Sequence, residues 1–438
     1  MGSGTILFMD VGRAPQEDWS APRRALFRFG FAYFLLYLFP FPIGALPGTI
    51  GLDDAYNALW HRPAQLFATW VLRIPGPLAV VDNGSGDKLV DWCELAVRLA
   101  LALLIAAVWS IATGAREHRK LHAWLRVYVR YALGAALLGY GWVKIFKSQF
   151  PALQVTRLLQ PYGESSPMGL LWTFMGFSAA YNVFAGLGEV VPGVLLFFRR
   201  TTTLGALLAA AVMAQVVMLN FAFDVPVKIY SVHLLAMATF LGIPDGRRLL
   251  RVFVLNQPVP SADLGPPLPS PGWRWGPGVV KAALLLGLHW AAVGEAVKTW
   301  RTRGDGSPRH PLVGVWLVEE QVRAGVSLPP LVSDKYRLRS VALFARDNKL
   351  SFARLTALDG QLRNLGLKQD EATQAWTLSS MGQPVAALSP QQPDADHLVL
   401  QGTLDGDQAM LRLKRLDASS FLLVNRGFHW VNEAPFNR

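Results

Sequence analysis

The run VFAGLGEVVPGVLLFF, residues 183–198, is apolar along nearly its whole length and carries one carboxylate, Glu189, near its middle. Asn182, Gly186, Glu189 and Gly193 recur at spacings of four, three and four, which places them on one face of a helix. A second stripe, Arg130, Gly134, Leu137, Gly141 and Lys144, is small in the middle and carries a cation near each end. Small residues let two helix backbones approach closely. Gln215 and Asn220, then Tyr230 and His233, add polar groups to later apolar runs. Ionisable side chains in such runs are costly and turn toward a bundle interior or a watery cavity. The chemistry open to them is a ligand, proton or quinone site, or a buried ion pair that sets helix register. With a rise of about 1.5 Å per residue, Glu189 falls near the middle of a membrane, Arg130 about 10 Å to one side and Lys144 about 11 Å to the other. The expected contact is Glu189 with Arg130, while Lys144, Asn220 and His233 are expected to form a second polar group in the outer half. The candidate ligand-binding set is thus Arg130, Lys144, Asn182, Glu189, Gln215, Asn220 and His233, with no residue assigned to catalysis.

Other signatures carry less chemistry. NGSGDK, residues 83–88, is glycine-rich but lacks the spacing and the following Ser or Thr of a phosphate-binding loop, so it reads as a turn. His118 and His122 lie four apart in a basic segment without further ligands, so no metal site is expected. Glu94 and Arg98 read as a pair on a helix surface, as do His289 and Glu295. Cys93 is the one cysteine, which excludes an internal disulfide or a Cys-x-x-Cys redox pair. Redox chemistry would need a bound cofactor or a partner.

The elements that must hold these residues are membrane helices. Of 438 residues 52% are hydrophobic, and the charges gather between long uncharged runs. About 20 apolar residues span a bilayer core as helix. Runs at 29–52, 92–113, 127–146, 165–188, 201–223, 227–243 and 278–297 predict about seven helices. The first is longer than a removable signal segment and is read as retained. Basic residues at 13–28, 116–130, 199–200 and 247–251 fall at alternate ends of successive helices. The positive-inside rule then puts the amino terminus in the cytoplasm and, after seven crossings, the carboxyl terminus outside an inner (cytoplasmic) membrane. The net charge of +12 is spread along loops without a nucleic-acid motif, so no nucleic-acid partner is expected. The expected order is a cytoplasmic segment (1–22), two leading helices (23–126), a four-helix core (127–256), a Pro/Gly-rich linker (257–277), a last helix (278–300) and an extracytoplasmic β-rich domain (310–438). In that domain YRLRSVALFARDNKLSFARL and HLVLQGTLDGDQAMLRLKRL read as hairpins, the second turning at Asp405-Gly406. With LVGVWLVEE before them and SFLLVNRGFHW after, about eight strands predict a small antiparallel barrel or sandwich. The final GFHWVNEAPFNR is expected to leave the last strand and dock through Trp430 and Phe436.

VRYALGAALLGYGWVKIF (129–146) resembles the first helix of the DoxX family of membrane proteins, and FAGLGEVVPGVLLFFRRTTTLGALL (184–208) resembles their second. The likeness covers 127–243, and the wider layout, with NGSGD, SSPMGLLWTFMG, DVPVK and a closing RGFHWVNEAPFNR, is similar to longer bacterial members. It implies a four-helix membrane core and, since some relatives are subunits of quinone-linked oxidoreductases, an accessory subunit with an oxidoreductase partner and quinone contact. In the tail, Gly314-Val315-Trp316 is similar to the Gly-x-Trp that opens lipocalin barrels, which implies an Arg, here Arg426, stacked on Trp316. A lipocalin-like cup would bind or transport a lipid or other small apolar molecule. A third reading, a membrane enzyme with an HTTM-type helical domain using Lys144 or His233 as base, lacks a motif match.

Overall fold

The computed structural model describes residues 18–45, 49, 51–260, 276–302, 304–308, 310–346, 348–370 and 372–437. Most of the expected amino-terminal segment and of the Pro/Gly-rich linker lies outside the described residues. The chain divides into two compact units, one of residues 1–146 and 180–296, the other of residues 147–179 and 297–438.

The first unit is helical. Helix α1 (Ala21–Leu38) opens with Pro22 in its first turn and stops ahead of Pro40 and Pro42. Helix α2 (Leu52–Trp70) starts after Gly51, whose φ of 88° is left-handed, and carries Asp53 and Asp54 where the helix dipole favours anions. Helix α3 (Leu89–Thr113) begins with a capping contact from the Lys88 N–H to the Asp91 carboxylate at 2.8 Å. Helix α4 (Arg119–Ile145) carries the stripe from Arg130 to Lys144, every member of it buried. The run expected at 165–188 is broken at Ser178, which is extended: α6 (Pro167–Phe177), in the second unit, ends there and α7 (Ala179–Leu196) begins. A short α5 (Val155–Leu158), also in the second unit, precedes them, and α8 (Thr202–Ala222), α9 (Lys228–Gly242), α10 (Gly246–Phe253) and α11 (Gly276–Thr302) follow. Among the described residues, four segments are long and apolar enough to cross a membrane: Leu89–Thr113, Ala179–Leu196, Arg199–Ala222 and Gly278–Thr302. The expected runs each contain helix, and α2 is an addition. Its buried Trp60, Ala64 and Ala68 repeat every four residues, and Ala64 and Ala68 pack on Val90 and Cys93 of α3.

In the second unit nine strands form one antiparallel sheet: β1 (Gly314–Arg323), β2 (Val326–Ser327), β3 (Leu338–Arg346), β4 (Lys349–Ala357), β5 (Leu362–Gln369), β6 (Trp376–Ser380), β7 (Gln383–Gln391), β8 (His397–Leu404) and β9 (Asp407–Arg415). β2 pairs only with the end of β1, while β9 returns to pair with β1 and closes an eight-stranded up-and-down barrel. Closure leaves no free edge along the cylinder. Both expected hairpins form. In the second, Leu404 pairs with Asp407 across a two-residue loop whose Asp405 and Gly406 have φ of 53° and 87°, as a type I′ turn requires. The interior is filled by Trp316, Trp376 and a leucine-rich set from every long strand, leaving a void of about 10 Å³. At one end buried Gln321 and Arg337 satisfy backbone: Gln321 Nε2 donates to the Tyr336 carbonyl at 2.9 Å, and Arg337 Nη2 to those of Val318 and Glu319 at 3.3 and 3.2 Å.

Three expectations about the tail are corrected. SFLLVNRGFHW is not a strand but includes a short helix, α12 (Leu422–Asn425), because β9 has already taken the last open edge. The Arg stacked on Trp316 is Arg415 of β9, its guanidinium 4.4 Å from the ring centre, whereas Arg426 lies over Phe436. Trp430 does not dock: it is exposed and meets Phe428 edge-on.

Candidate functional site

Helices α4 and α7 pack through their glycines. A methyl group built on Gly141 would lie 2.8 Å from the Gly186 carbonyl oxygen, and one on Gly193 would lie 3.2 Å from that of Gly134. Contacts this close leave a side chain no room unless a neighbour shifts, so the two backbones meet at these levels. Gly134 therefore faces Gly193 and Gly141 faces Gly186, an antiparallel register that sets Glu189 level with Leu138.

Glu189 consequently pairs with Lys144, not with Arg130. Lys144 Nζ donates to both carboxylate oxygens, at 2.6 and 2.7 Å, and Glu189 is 1% exposed. The reason is direction as well as distance. Lys144 lies six residues from the level of Leu138 and Arg130 eight, so about 9 Å against about 12 Å along the axis. Helical side chains also lean toward their own amino terminus. On antiparallel helices that lean brings Lys144 and Glu189 together, and it carries Arg130 away.

A second polar contact joins α1 to α9. The Tyr33 hydroxyl is hydrogen-bonded to His233 Nε2, and His233 Nδ1 lies 2.6 Å from the Ile229 carbonyl oxygen. A carbonyl only accepts, so Nδ1 carries the proton and Nε2 accepts from Tyr33. Tyr37, one turn on, stacks on the imidazole with ring centres 3.8 Å apart and planes within 8°. Between the two contacts lie Tyr140, whose ring centre is 5.7 Å from Lys144 Nζ, and Tyr230, whose ring is 5.7 Å from that of Tyr140. Tyr230 and Tyr37 both pack against the same buried cluster of the helical unit. A polar and aromatic seam thus runs Glu189, Lys144, Tyr140, Tyr230, Tyr37, His233, Tyr33. Its ends are buried, and Tyr140 is 40% exposed.

Arg98 acts electrostatically on Tyr33, Tyr37 and His233. It forms the expected pair with Glu94 at 3.0 Å, but not on a helix surface: Trp60 of α2 covers its guanidinium at 4.7 Å and His61 lies 3.6 Å from Glu94. The other candidates divide. Asn182 is buried on the Glu189 face, seven residues away. Asn220 is buried, its backbone carbonyl accepting from the Val225 N–H at 2.9 Å. Gln215 is exposed, because the buried face of α8 runs through Ala209 and Met213, and two residues turn a helix by about 200°. Arg130 stands apart, its Nη1 donating to Thr202 Oγ1 at 3.1 Å. Tyr33 and Tyr37 were missed by the sequence reading, although their spacing of four on one helix face signalled a shared partner.

No family model matches the chain, and no solved structure matches it. It is similar to YwoB, an uncharacterised protein of Bacillus subtilis (strain 168), with 29% identity over 148 residues, which is 34% of this chain and 94% of that protein. About a third of this chain thus accounts for nearly the whole of a separate bacterial protein.

Proposed function

We propose that this chain is a DoxX-like integral membrane protein, an accessory subunit of a quinone-linked oxidoreductase, whose seam from Tyr140 to Tyr33 receives a quinone headgroup. The Tyr33–His233 hydrogen bond under the stacked Tyr37 ring is the observation that carries this reading. Flat aromatic faces suit a planar ring, and donors beside them suit its two carbonyl oxygens. As an imidazolium, His233 passes its Nε2 proton to the Tyr33 oxygen while that hydroxyl gives its own to a reduced quinone oxygen, and Lys144 with Glu189 forms a second proton-exchanging pair. The electrons come from the partner, since one cysteine gives the chain no thiol pair of its own.

The barrel, with its Gly-x-Trp and stacked Arg415, is lipocalin-like in this reading. Its void of about 10 Å³ has room for one water, which favours the seam over the alternative of a barrel carrying an apolar molecule. The proposed arrangement has seven crossings of the inner membrane, the amino terminus cytoplasmic and the barrel outside.

The test is mass spectrometry of small molecules retained by gently purified protein. Quinone at near-equal molar amounts, lost in His233→Ala and reduced in Tyr33→Phe, is the expected result. Its absence from the parent, or unchanged retention in His233→Ala, overturns the reading. Reporter fusions test the sidedness separately, and a cytoplasmic reporter active after the barrel contradicts it.

A further inference from the structure

The outer wall of the barrel carries a cleft. In β1, β3 and β4 the residues that alternate with the packed interior point outward, and the register sets Val315, Ala342 and Arg354 in one row and Ser340, Thr356 and Leu362 in the next. Outward residues of a barrel meet solvent unless something covers them. Val315, Ala342 and Ser340 are nevertheless 1%, 3% and 4% exposed, because α5 packs against β1 and the chain from Pro151 to Thr173 passes over these strands. Named contacts fix that cover in place. The Ala152 N–H donates to the Asp305 carboxylate at 2.7 Å, Lys147 pairs with the same group at 3.2 Å, and Phe150 meets Trp172 edge-on with ring centres 5.0 Å apart. Between cover and wall, wholly inside the second unit, lies a cleft of about 650 Å³.

Three guanidinium groups line it, Arg157 from the cover and Arg339 and Arg354 from the wall, with one carboxylate, Glu164. Among the described residues none of these four charges is in an ion pair. Arg354 Nε donates to the Asn364 side chain at 2.8 Å, which orients the guanidinium and leaves its two Nη groups without a hydrogen bond among the described residues. Arg339 has no hydrogen-bond partner among them at all. Arg157 Nη1 donates to Gln160, and both its Nη atoms would lie 3.1 Å from a methyl group built on Gly169, so the glycine leaves the guanidinium its place beside the start of α6. Planar forks of this kind hold an oxyanion, carboxylate or phosphate, through paired hydrogen bonds. Leu153, Leu159, Trp172 and Leu362 line the same cleft and offer nothing to an inorganic ion. Apolar walls, a few convergent polar groups and a volume of this size make a site for an organic molecule. We propose that the cleft binds an amphipathic anion, its carboxylate or phosphate head held by Arg339 and Arg354 and its apolar body lying along Leu153, Leu159 and Trp172. The site is outside the barrel, whose interior has no room for such a molecule. It uses no residue of the Tyr–His–Lys–Glu seam and does not rest on it.

The experiment is photolabelling of the full chain in dodecyl maltoside with a diazirine-bearing fatty acid, the labelled peptides being mapped by mass spectrometry. Label in residues 151–173 and 339–362, competed by dodecanoate or dodecyl phosphate but not by dodecyltrimethylammonium, is the expected result. The stronger of the two anionic competitors identifies the head group. Arg339→Gln with Arg354→Gln should cut the labelling of these segments roughly tenfold or more below saturation, the loss expected for one charge-assisted hydrogen bond. Lys368→Gln, an exposed cation of β5 outside the cleft, should leave it unchanged. Arg339 is exposed, so Arg339→Gln decides alone if the double variant does not fold. Label confined to the helical unit, equal competition by the cationic amphiphile, or unchanged labelling in the arginine variants overturns the proposal. Equal competition by inorganic phosphate also overturns it, since that ion has no apolar body. Quinone retention should be unaffected by the arginine variants, which separates failure of this site from failure of the seam.

Discussion

Replacing Glu189 by Gln leaves the Lys144 ammonium buried against a neutral amide. In the parent both carboxylate oxygens lie within 2.7 Å of that ammonium, and the two residues are 1% and 8% exposed, so little solvent is at hand to replace the lost charge. Breaking one side of a buried pair costs about 3–5 kcal/mol, whereas removing both charges together is often close to neutral. At about 2–4 °C per kcal/mol for a body of this size, Glu189→Gln should lower the unfolding midpoint by roughly 6–20 °C. Glu189→Gln with Lys144→Met should recover most of that loss. Arg130 supplies the discriminating control: Arg130→Gln should add to Glu189→Gln within about 0.5 kcal/mol, because the two share no partner. Thermal melts of these five proteins and of Lys144→Met alone, in one detergent, complete both cycles. Rescue of Glu189→Gln by Arg130→Gln but not by Lys144→Met would refute the register from which the pair is argued. A single variant that melts with the parent would refute burial of the charge. Recovery of stability in the double variant with loss of retained quinone would show that the pair serves the ligand beyond holding the helices together.

Three further outcomes follow from particular contacts. Gly141→Ala sets a methyl 2.5 Å from the Val190 side chain and should cost about 1–3 kcal/mol of thermal stability. Gly139→Ala, with nothing within 4 Å, should be neutral or gain up to about 1 kcal/mol, so equal effects would disprove glycine-mediated packing of α4 on α7. In the barrel, Arg363 grips Asp405 through two bonds of 2.8 and 2.7 Å and holds its carboxyl below the ordinary carboxylate range. A depressed value stabilises the fold above about pH 4 and loses that contribution as pH falls through the lowered value. The stability gap between the parent and Asp405→Asn, followed by tryptophan fluorescence during acid unfolding, should therefore be constant near neutrality and close below about pH 4; a constant gap to pH 2 would contradict it. Trp316→Ala, emptying a side chain at 0% exposure, should cost about 3–5 kcal/mol in denaturant unfolding of the barrel, and a loss under about 1 kcal/mol would mean that the interior is not the packed one described.

The barrel was the most legible part of the sequence. Alternation of period two and the Asp405-Gly406 turn specify hairpins locally, and hairpins in series need only closure to become a barrel. The wrong Arg came from reading one strand too many. Counting eight long strands from Gly314 ends at β9, whose Arg412 and Arg415 were the available candidates, and the apolar FLLV beyond it has no edge left to join. The helices were legible where they are uniformly apolar. α2 was not, because Asp53, Asp54, Arg62 and Pro63 interrupt its hydropathy, and its signal was the spacing of Trp60, Ala64 and Ala68. The tyrosines of the seam were hidden for a related reason. Tyr33 and Tyr37 pass as ordinary members of an aromatic helix until His233, 200 residues after Tyr33, is brought against them.

The partner of Glu189 shows what depth alone cannot decide. Measured from a membrane midplane, Arg130 and Lys144 are nearly equidistant, and both side chains are long enough to reach. Yet the glycines carry the missing information. Gly134 and Gly141 are seven apart, and so are Gly186 and Gly193, so two antiparallel helices that close on small residues have one alignment in which both pairs meet. Once that alignment is imposed, Leu138 is level with Glu189, and the lean of helical side chains toward their own amino termini separates the two cations. Lys144 bends into the gap that Glu189 bends toward; Arg130 bends out of it, toward Thr202 at the start of α8. The same geometric rule thus closes one charge pair and, among the described residues, leaves the other cation with a hydroxyl partner in place of a carboxylate, which is why the two ends of a single helical stripe carry different chemistry.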